Sequence, residues 1–139
     1  MSARPVSLRI PDEVRACTKV AAARTGRGFS SVANEMLTEA VKMRRIPGIV
    51  FADGPAGRRA RIAGTGIDVF EVVRDHRAMG ADWAKVRQAY HWLDERQLRA
   101  ALAYAEAYPE EIAARLAAEE RWTPERVWRT YPFTRPPRR

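Results

Sequence analysis

Residues 5–11, PVSLRIP, alternate in kind. Val6, Leu8 and Ile10 fall on one side of an extended chain and Ser7 and Arg9 on the other, which is strand periodicity. The polar side has a chemistry of its own. An arginine at position 9 can reach guanine O6 and N7 or a phosphate, and a serine at position 7 can hydrogen-bond several base edges. Arg4 and Pro5 extend that face toward the N-terminus. Two copies of the segment, paired antiparallel, would double it into a ribbon narrow enough for a major groove. Further along, Ser30 or Ser31 is predicted to cap a helix whose first backbone N–H groups could take a phosphate.

Two other groupings have a chemistry to offer. Glu95, Arg96, Gln97 and Arg99 fall on one predicted helix as a polar surface able to meet DNA or a protein. In RWTPERVWRTYPFTRPPRR at the C-terminus, Trp122, Trp128, Tyr131 and Phe133 interleave with Arg121, Arg126, Arg129 and Arg135. Aromatic residues and arginine are the common anchors of protein interfaces. The remaining candidates are structural. Gly64-Thr65-Gly66 lacks the lysine and spacing of a phosphate loop. His76, His91 and Cys17 do not have the spacing of a metal site. Glu110 with Glu111 and Glu119 with Glu120 read as solvated helix faces. No catalytic constellation emerges, so neither an enzyme nor a cofactor is expected.

The elements that must hold these residues follow from periodicity and caps. Asp12 and Glu13 open a helix at its positive dipole end. It runs to about Thr25 with Val14, Cys17, Val20 and Ala21 as its apolar stripe, and Gly26 ends it as a left-handed cap. The second helix, to about Met43, carries Val32, Met36, Leu37, Ala40 and Val41 on its apolar side. A strand and two helices in some 40 residues have nothing large to bury against, so a second copy is required to complete the fold. Two short strands are predicted at 49–51 and 59–62 with ADGPAGR as their turn. Helices follow at 68–79, ended by Gly80, at 82–90 capped by Asp82, and from Asp94, where Gln97 completes a capping box. A last helix spans 109–120, with Pro109 in its first turn. The end, 121–139, reads as an extended arm without a core.

Charge is distributed unevenly. The net +8 favours polyanionic partners, but residues 1–45 carry nine basic and four acidic side chains, 46–120 ten and twelve, and 121–139 six and one. The basic residues are 22 Arg and 3 Lys, mostly a matter of codon bias, though arginine does suit bidentate phosphate contacts. A middle segment of net −2 forfeits the phosphate attraction that dominates nucleic-acid affinity. It is therefore better suited to contact a protein or extend a dimer than to read DNA a second time. A single cysteine, the lack of an apolar secretory core and the lack of an 18-residue apolar run place the chain in the cytoplasm, away from membranes.

Two stretches resemble known families. RPVSLRIPDEVRACTKVAAARTGRGFSSVANEMLTEAV is similar to ribbon-helix-helix repressors of the CopG, Arc and MetJ type, on its strand alternation, its PDE helix start and the turn from Gly26 to Ser30. Pro5 stands where many members have a polar base reader. IAGTGIDVFEVVRDHRAMGADWAKVRQAYHWLDERQLRAALAYAE resembles a small helix-turn-helix domain of VapB-type antitoxins, long described only as a domain of unknown function. That likeness rests on the GT-X-I-X-V entry at 64–69, Gly80, Tyr90 and AALAYA at 100–105. Many members have arginine where this chain has Gly66. The resemblances imply a mostly α chain: a ribbon-helix-helix dimerisation module (1–45), a helix-turn-helix domain with a short β-hairpin (46–120) and a C-terminal arm (121–139). They imply an antitoxin of a type II toxin–antitoxin pair that represses its own operon by binding operator DNA. It would dimerise through residues 5–43 and neutralise a PIN-like ribonuclease. The acidic, metal-binding active site of such a toxin would be met by Arg121, Trp122, Arg126, Trp128, Arg129, Tyr131 and Phe133. The alternative is a dimeric repressor or nucleoid-type DNA binder without a toxin.

Overall fold

A computed structural model of the chain describes residues 3–54 and 57–138. The chain divides into two compact units, Met1–Arg44 and Arg45–Arg139. It is mostly helical, with one two-stranded antiparallel hairpin among the described residues.

In the first unit, α1 spans Asp12–Thr25 and α2 spans Phe29–Arg45. The turn between them follows from Gly26, whose φ of 65° is open to glycine at little cost. Its N–H donates to the carbonyl of Ala22 and closes the helix where the sequence places the cap. The start of α2 differs from expectation. The helix begins at Phe29 and the Val32 N–H donates to the Gly28 carbonyl at 3.2 Å, so Ser30 and Ser31 lie inside the first turn. Gly28 needs no side-chain oxygen to begin a helix, and this moves the boundary two residues earlier. Residues 3–11 form no hydrogen-bonded element in the single chain, since a lone extended segment has no ladder to join.

Burial in this unit is sparse. Thr18, Ala22 and Val32 alone are buried among its described residues. Thr18 turns its hydroxyl back onto the Val14 carbonyl at 2.6 Å, so a polar group is satisfied in place. The stripe predicted for α1 is not buried: Val14, Cys17 and Val20 are exposed and Ala21 is half-buried. On α2, Met36, Leu37 and Val41 are likewise exposed.

The second unit is built differently. Strands β1 (Ile49–Gly54) and β2 (Gly57–Ile62) pair in register Ile49↔Ile62, Phe51↔Ala60 and Gly54↔Gly57. The strands are longer than predicted, and the centre of the predicted ADGPAGR turn, at positions 55 and 56, lies outside the described residues. Helices α3 (Val69–Ala78), α4 (Trp83–Ala89), α5 (Glu95–Ala107) and α6 (Pro109–Glu120) follow, and α3 packs on β2, α4, α5 and α6. Fourteen buried side chains form one core, with Tyr104, Ile62, Leu98, Val69, Val72 and Val86 fully enclosed. Each large apolar side chain buried there contributes about 1.5–3 kcal/mol, so this core is the main apolar support of the unit. His76 sits half-buried on α3 and His91 is exposed in the turn after α4.

One ionic cluster joins hairpin to helices. Asp68, 4% exposed, caps α3 and forms a reciprocal capping box with Glu71. Its carboxylate also lies 2.8 Å from Arg59 Nε and 3.1 Å from Arg61 Nε, both on β2. A carboxylate this buried is tolerated only with partners. Here two cations and a helix N-terminus supply them. The arrangement predicts that Asp68→Ala costs about 3 kcal/mol or more in urea unfolding, because two half-buried guanidinium groups lose their counter-ion. Asp68→Asn, which keeps the cap, should cost less.

The C-terminal segment is not extended. Thr123 accepts from the Arg126 N–H, Pro124 takes the first helical position and Glu125 the first turn, opening α7 (Pro124–Thr130). A single 3-10 turn, Pro132–Thr134, follows. The complete start signal Thr-Pro-Glu outweighs the high proline content that suggested an arm. The expectation that this segment lacks a core of its own does hold, since no residue of α7 is buried.

Candidate functional site

The predicted DNA-contacting residues of the first unit lie on its surface. Arg4, Pro5, Ser7 and Arg9 are all exposed. Val6 and Leu8 are exposed too, at 76% and 62%, so alternation alone does not bury the apolar side in one chain. Leu8 and Ile10 instead border an open groove of about 280 Å³ with Val14, Met36 and Leu37, and Arg9 borders it as well. Ser30 and Ser31 are exposed in the first turn of α2, where backbone N–H groups lack helical acceptors.

Arg27 stands beside that helix start, and periodicity gives no hint of its role. Its Nη2 donates to Ser31 Oγ at 2.9 Å and its Nη1 to Glu35 Oε2 at 2.7 Å. Ser31 thus supports a guanidinium rather than capping the helix. A cation at a helix N-terminus is at the wrong end of the dipole, and Glu35 offsets this. The pair is neutral as a whole and partly exposed, and it lies next to the N–H groups that a phosphate would seek.

In the second unit the predicted reading surface is largely engaged with itself. Asp94 and Gln97 complete the expected capping box, which occupies the Gln97 side chain. Glu95 holds Arg99 at 2.8 Å, and the Arg99 guanidinium lies 4.7 Å over the Trp83 ring. Of the four positions, Arg96 is exposed and makes no such contact.

The C-terminal aromatic residues are brought together in part. Trp122 stacks on Tyr131 at 6.5 Å and Tyr131 meets Phe133 edge-on at 6.1 Å. Arg126 sits over Trp122 and donates to the Arg121 carbonyl at 3.2 Å. Trp128 is half-buried, Arg121 and Arg129 are exposed, and Phe133 is 86% exposed. A small aromatic platform with two outlying arginines results.

Residues 49–105 match the model of a family described as a protein of unknown function (DUF433). The match covers the hairpin, α3, α4 and most of α5. It does not reach the first unit or α7. No curated protein and no solved structure matches the chain.

Among the described residues there is no group of His, Cys, Asp and Glu able to hold a metal, and no helix is long and apolar enough to cross a membrane. Inside the matched segment Tyr90 is strongly perturbed. Burial, reinforced by its hydrogen bond to Asp75 at 2.5 Å, pushes its phenol well above the ordinary value of about 10. This bond ties the end of α4 to α3. A phenol whose pKa is raised by folding adds stability that is complete below its unfolded pKa and is lost as pH rises past it. Tyr90→Phe, which removes the hydrogen bond to Asp75, should be less stable than the parent at neutral pH. The gap should narrow above about pH 10 in thermal melts, and a gap that stays constant to strongly alkaline pH would contradict the assignment.

Proposed function

We propose that the chain is a DNA-binding antitoxin of a type II toxin–antitoxin pair. It acts in the cytoplasm and represses its own operon. Two copies pair their 5–11 segments into a ribbon, and their α1 and α2 helices close over a shared core. The single observation that carries this reading is the bare apolar side of the first unit. Val6, Leu8, Val14, Val20, Met36, Leu37 and Val41 are all exposed on a segment that buries three side chains. A contiguous exposed apolar surface marks an interaction site. The resemblance to ribbon-helix-helix repressors supplies its form, a dimer whose outward face carries Ser7 and Arg9.

The rest of the chain supports a second, protein-binding role. Residues 46–120 have a net charge of −2, and their would-be reading helix spends Glu95, Gln97 and Arg99 on internal contacts. The basic aromatic end offers Arg121, Arg129 and Phe133 to an acidic surface, as the active site of a PIN-like ribonuclease would present. Because α7 is already helical, it would dock as a short helix, and the ordering cost of an extended arm is avoided. The alternative, a dimeric repressor with no toxin, is favoured by that same self-contained packing of Trp122, Arg126 and Tyr131.

The test uses purified full-length chain and DNA from upstream of its own gene. Arg9→Ala should weaken binding by about 1–3 kcal/mol and leave the sedimenting dimer intact. Leu8→Asp should abolish the dimer, because it buries a charge in the ribbon core. Removal of residues 121–139 should spare DNA binding and release the ribonuclease activity of a PIN-like protein copurified from the same operon. Unchanged DNA affinity of the Arg9 variant in a folded dimer contradicts the DNA face. Full neutralisation by the truncated chain contradicts the C-terminal role.

A further inference from the structure

A groove of about 250 Å³ lies between β2 and α6, inside the second unit. Its walls carry three guanidinium groups, Arg58, Arg59 and Arg115, against one carboxylate, Glu111, and Phe70 and Ile112 are among its apolar residues. Two polar atoms of this wall are buried with no hydrogen-bond acceptor: Arg59 Nε and Arg115 Nε. Arg59 Nε does lie 2.8 Å from Asp68, but as an ion-pair contact in which the N–H is not directed at the oxygen. Arg115 stacks on Phe70 at 4.9 Å and gives a terminal nitrogen to Glu119 at 3.2 Å, which holds its Nε edge in place. Buried donors without acceptors are rare, and each costs free energy that a bound acceptor would recover.

The geometry points to a carboxylate-binding groove that takes an anionic group borne on an apolar peptide stem. A planar guanidinium offers a carboxylate two parallel N–H bonds, and arginine is the residue suited to that recognition. The aliphatic and aromatic walls require an apolar neighbour to the charge. Glu111 on the wall, itself hydrogen-bonded by Tyr104, penalises a doubly charged phosphate more than a monoanion. The volume is below the roughly 300–1,000 Å³ usual for cofactor and drug-sized sites, so the groove fits one side chain or a chain end. The groove lies on the second unit, and its carboxylate site holds or fails independently of the DNA-binding reading.

The experiment follows the arginine Nε–Hε correlations of the full-length ¹⁵N-labelled chain during titration with four probes: acetyl-leucine, acetyl-glutamate α-amide, acetyl-leucinamide and inorganic phosphate. The Arg115 and Arg59 signals should shift saturably with one or both of the first two. Acetyl-leucine would assign the groove to a chain terminus and acetyl-glutamate amide to an acidic side chain. Acetyl-leucinamide should leave them in place. Arg115→Lys, which keeps the charge and removes the Nε donor, should weaken binding about tenfold or more. Ala118→Leu, which fills the groove without changing charge, should block it, with thermal melts confirming that both variants fold. The proposal is overturned if neither carboxylate moves these signals, if the neutral amide moves them equally, if phosphate alone binds, or if both folded variants bind like the parent.

Discussion

The first unit cannot bury its own apolar side chains, and the proposed function depends on that constraint. A helical pair with Thr18, Ala22 and Val32 as its whole interior has little to set against the conformational entropy of some 40 ordered residues. Its larger apolar groups, from Leu8 and Val14 to Met36 and Leu37, instead line an open groove or face solvent. Segment 3–11 has the same deficit in hydrogen bonds, since its backbone joins no ladder. One partner supplies both needs at once if it brings a matching strand and a matching helix pair. A second copy is the simplest such partner, and on the proposed reading it also creates the surface that carries Arg9 and Ser7.

The second unit shows what self-sufficiency looks like in the same chain. Its core is continuous from Ile49 and Ile62 on the hairpin through Val69 and Val72 to Leu98 and Tyr104. Asp68 locks β2 to the start of α3, and Tyr90 locks the end of α4 to α3 through Asp75. On α5, Glu95, Gln97 and Arg99 are engaged in contacts of their own, which leaves few polar groups there free to seek bases. The division of charge follows the same line. Phosphate attraction is concentrated in the N-terminal 45 residues and the C-terminal 19, and the folded platform between them is slightly acidic. The proposed antitoxin assigns DNA to the first and a protein to the last.

Much of this was legible in the sequence where a local rule decides the outcome. Gly26 ends α1, and Asp82 and Asp94 cap α4 and α5 through their own side chains, as their positions require. Pro109 opens α6. Local rules misled where two signals competed. Ser30 and Ser31 looked like caps, but Gly28 begins the helix. Four prolines suggested an extended arm, yet Thr123-Pro124-Glu125 starts α7. Tertiary features were not legible at all. Nothing in the spacing of Arg59, Arg61 and Asp68 announces a buried ionic cluster, because the hairpin register brings them together. The groove between β2 and α6 depends in the same way on packing between elements distant in sequence. The apolar stripe predicted for α1 is exposed in the single chain, where Val14, Cys17 and Val20 have nothing to cover them.

The proposed pairing of two copies makes a residue-by-residue statement about the segment that now lacks a ladder. Amide hydrogen exchange of the full-length chain, followed by NMR at several protein concentrations, tests it most directly. Paired strands should protect amides within residues 6–10, together with those of α1 and α2, and the protection should rise with concentration as the dimer forms. Fast exchange across residues 6–10 at every concentration, alongside a stably protected second unit, would contradict the intermolecular ribbon.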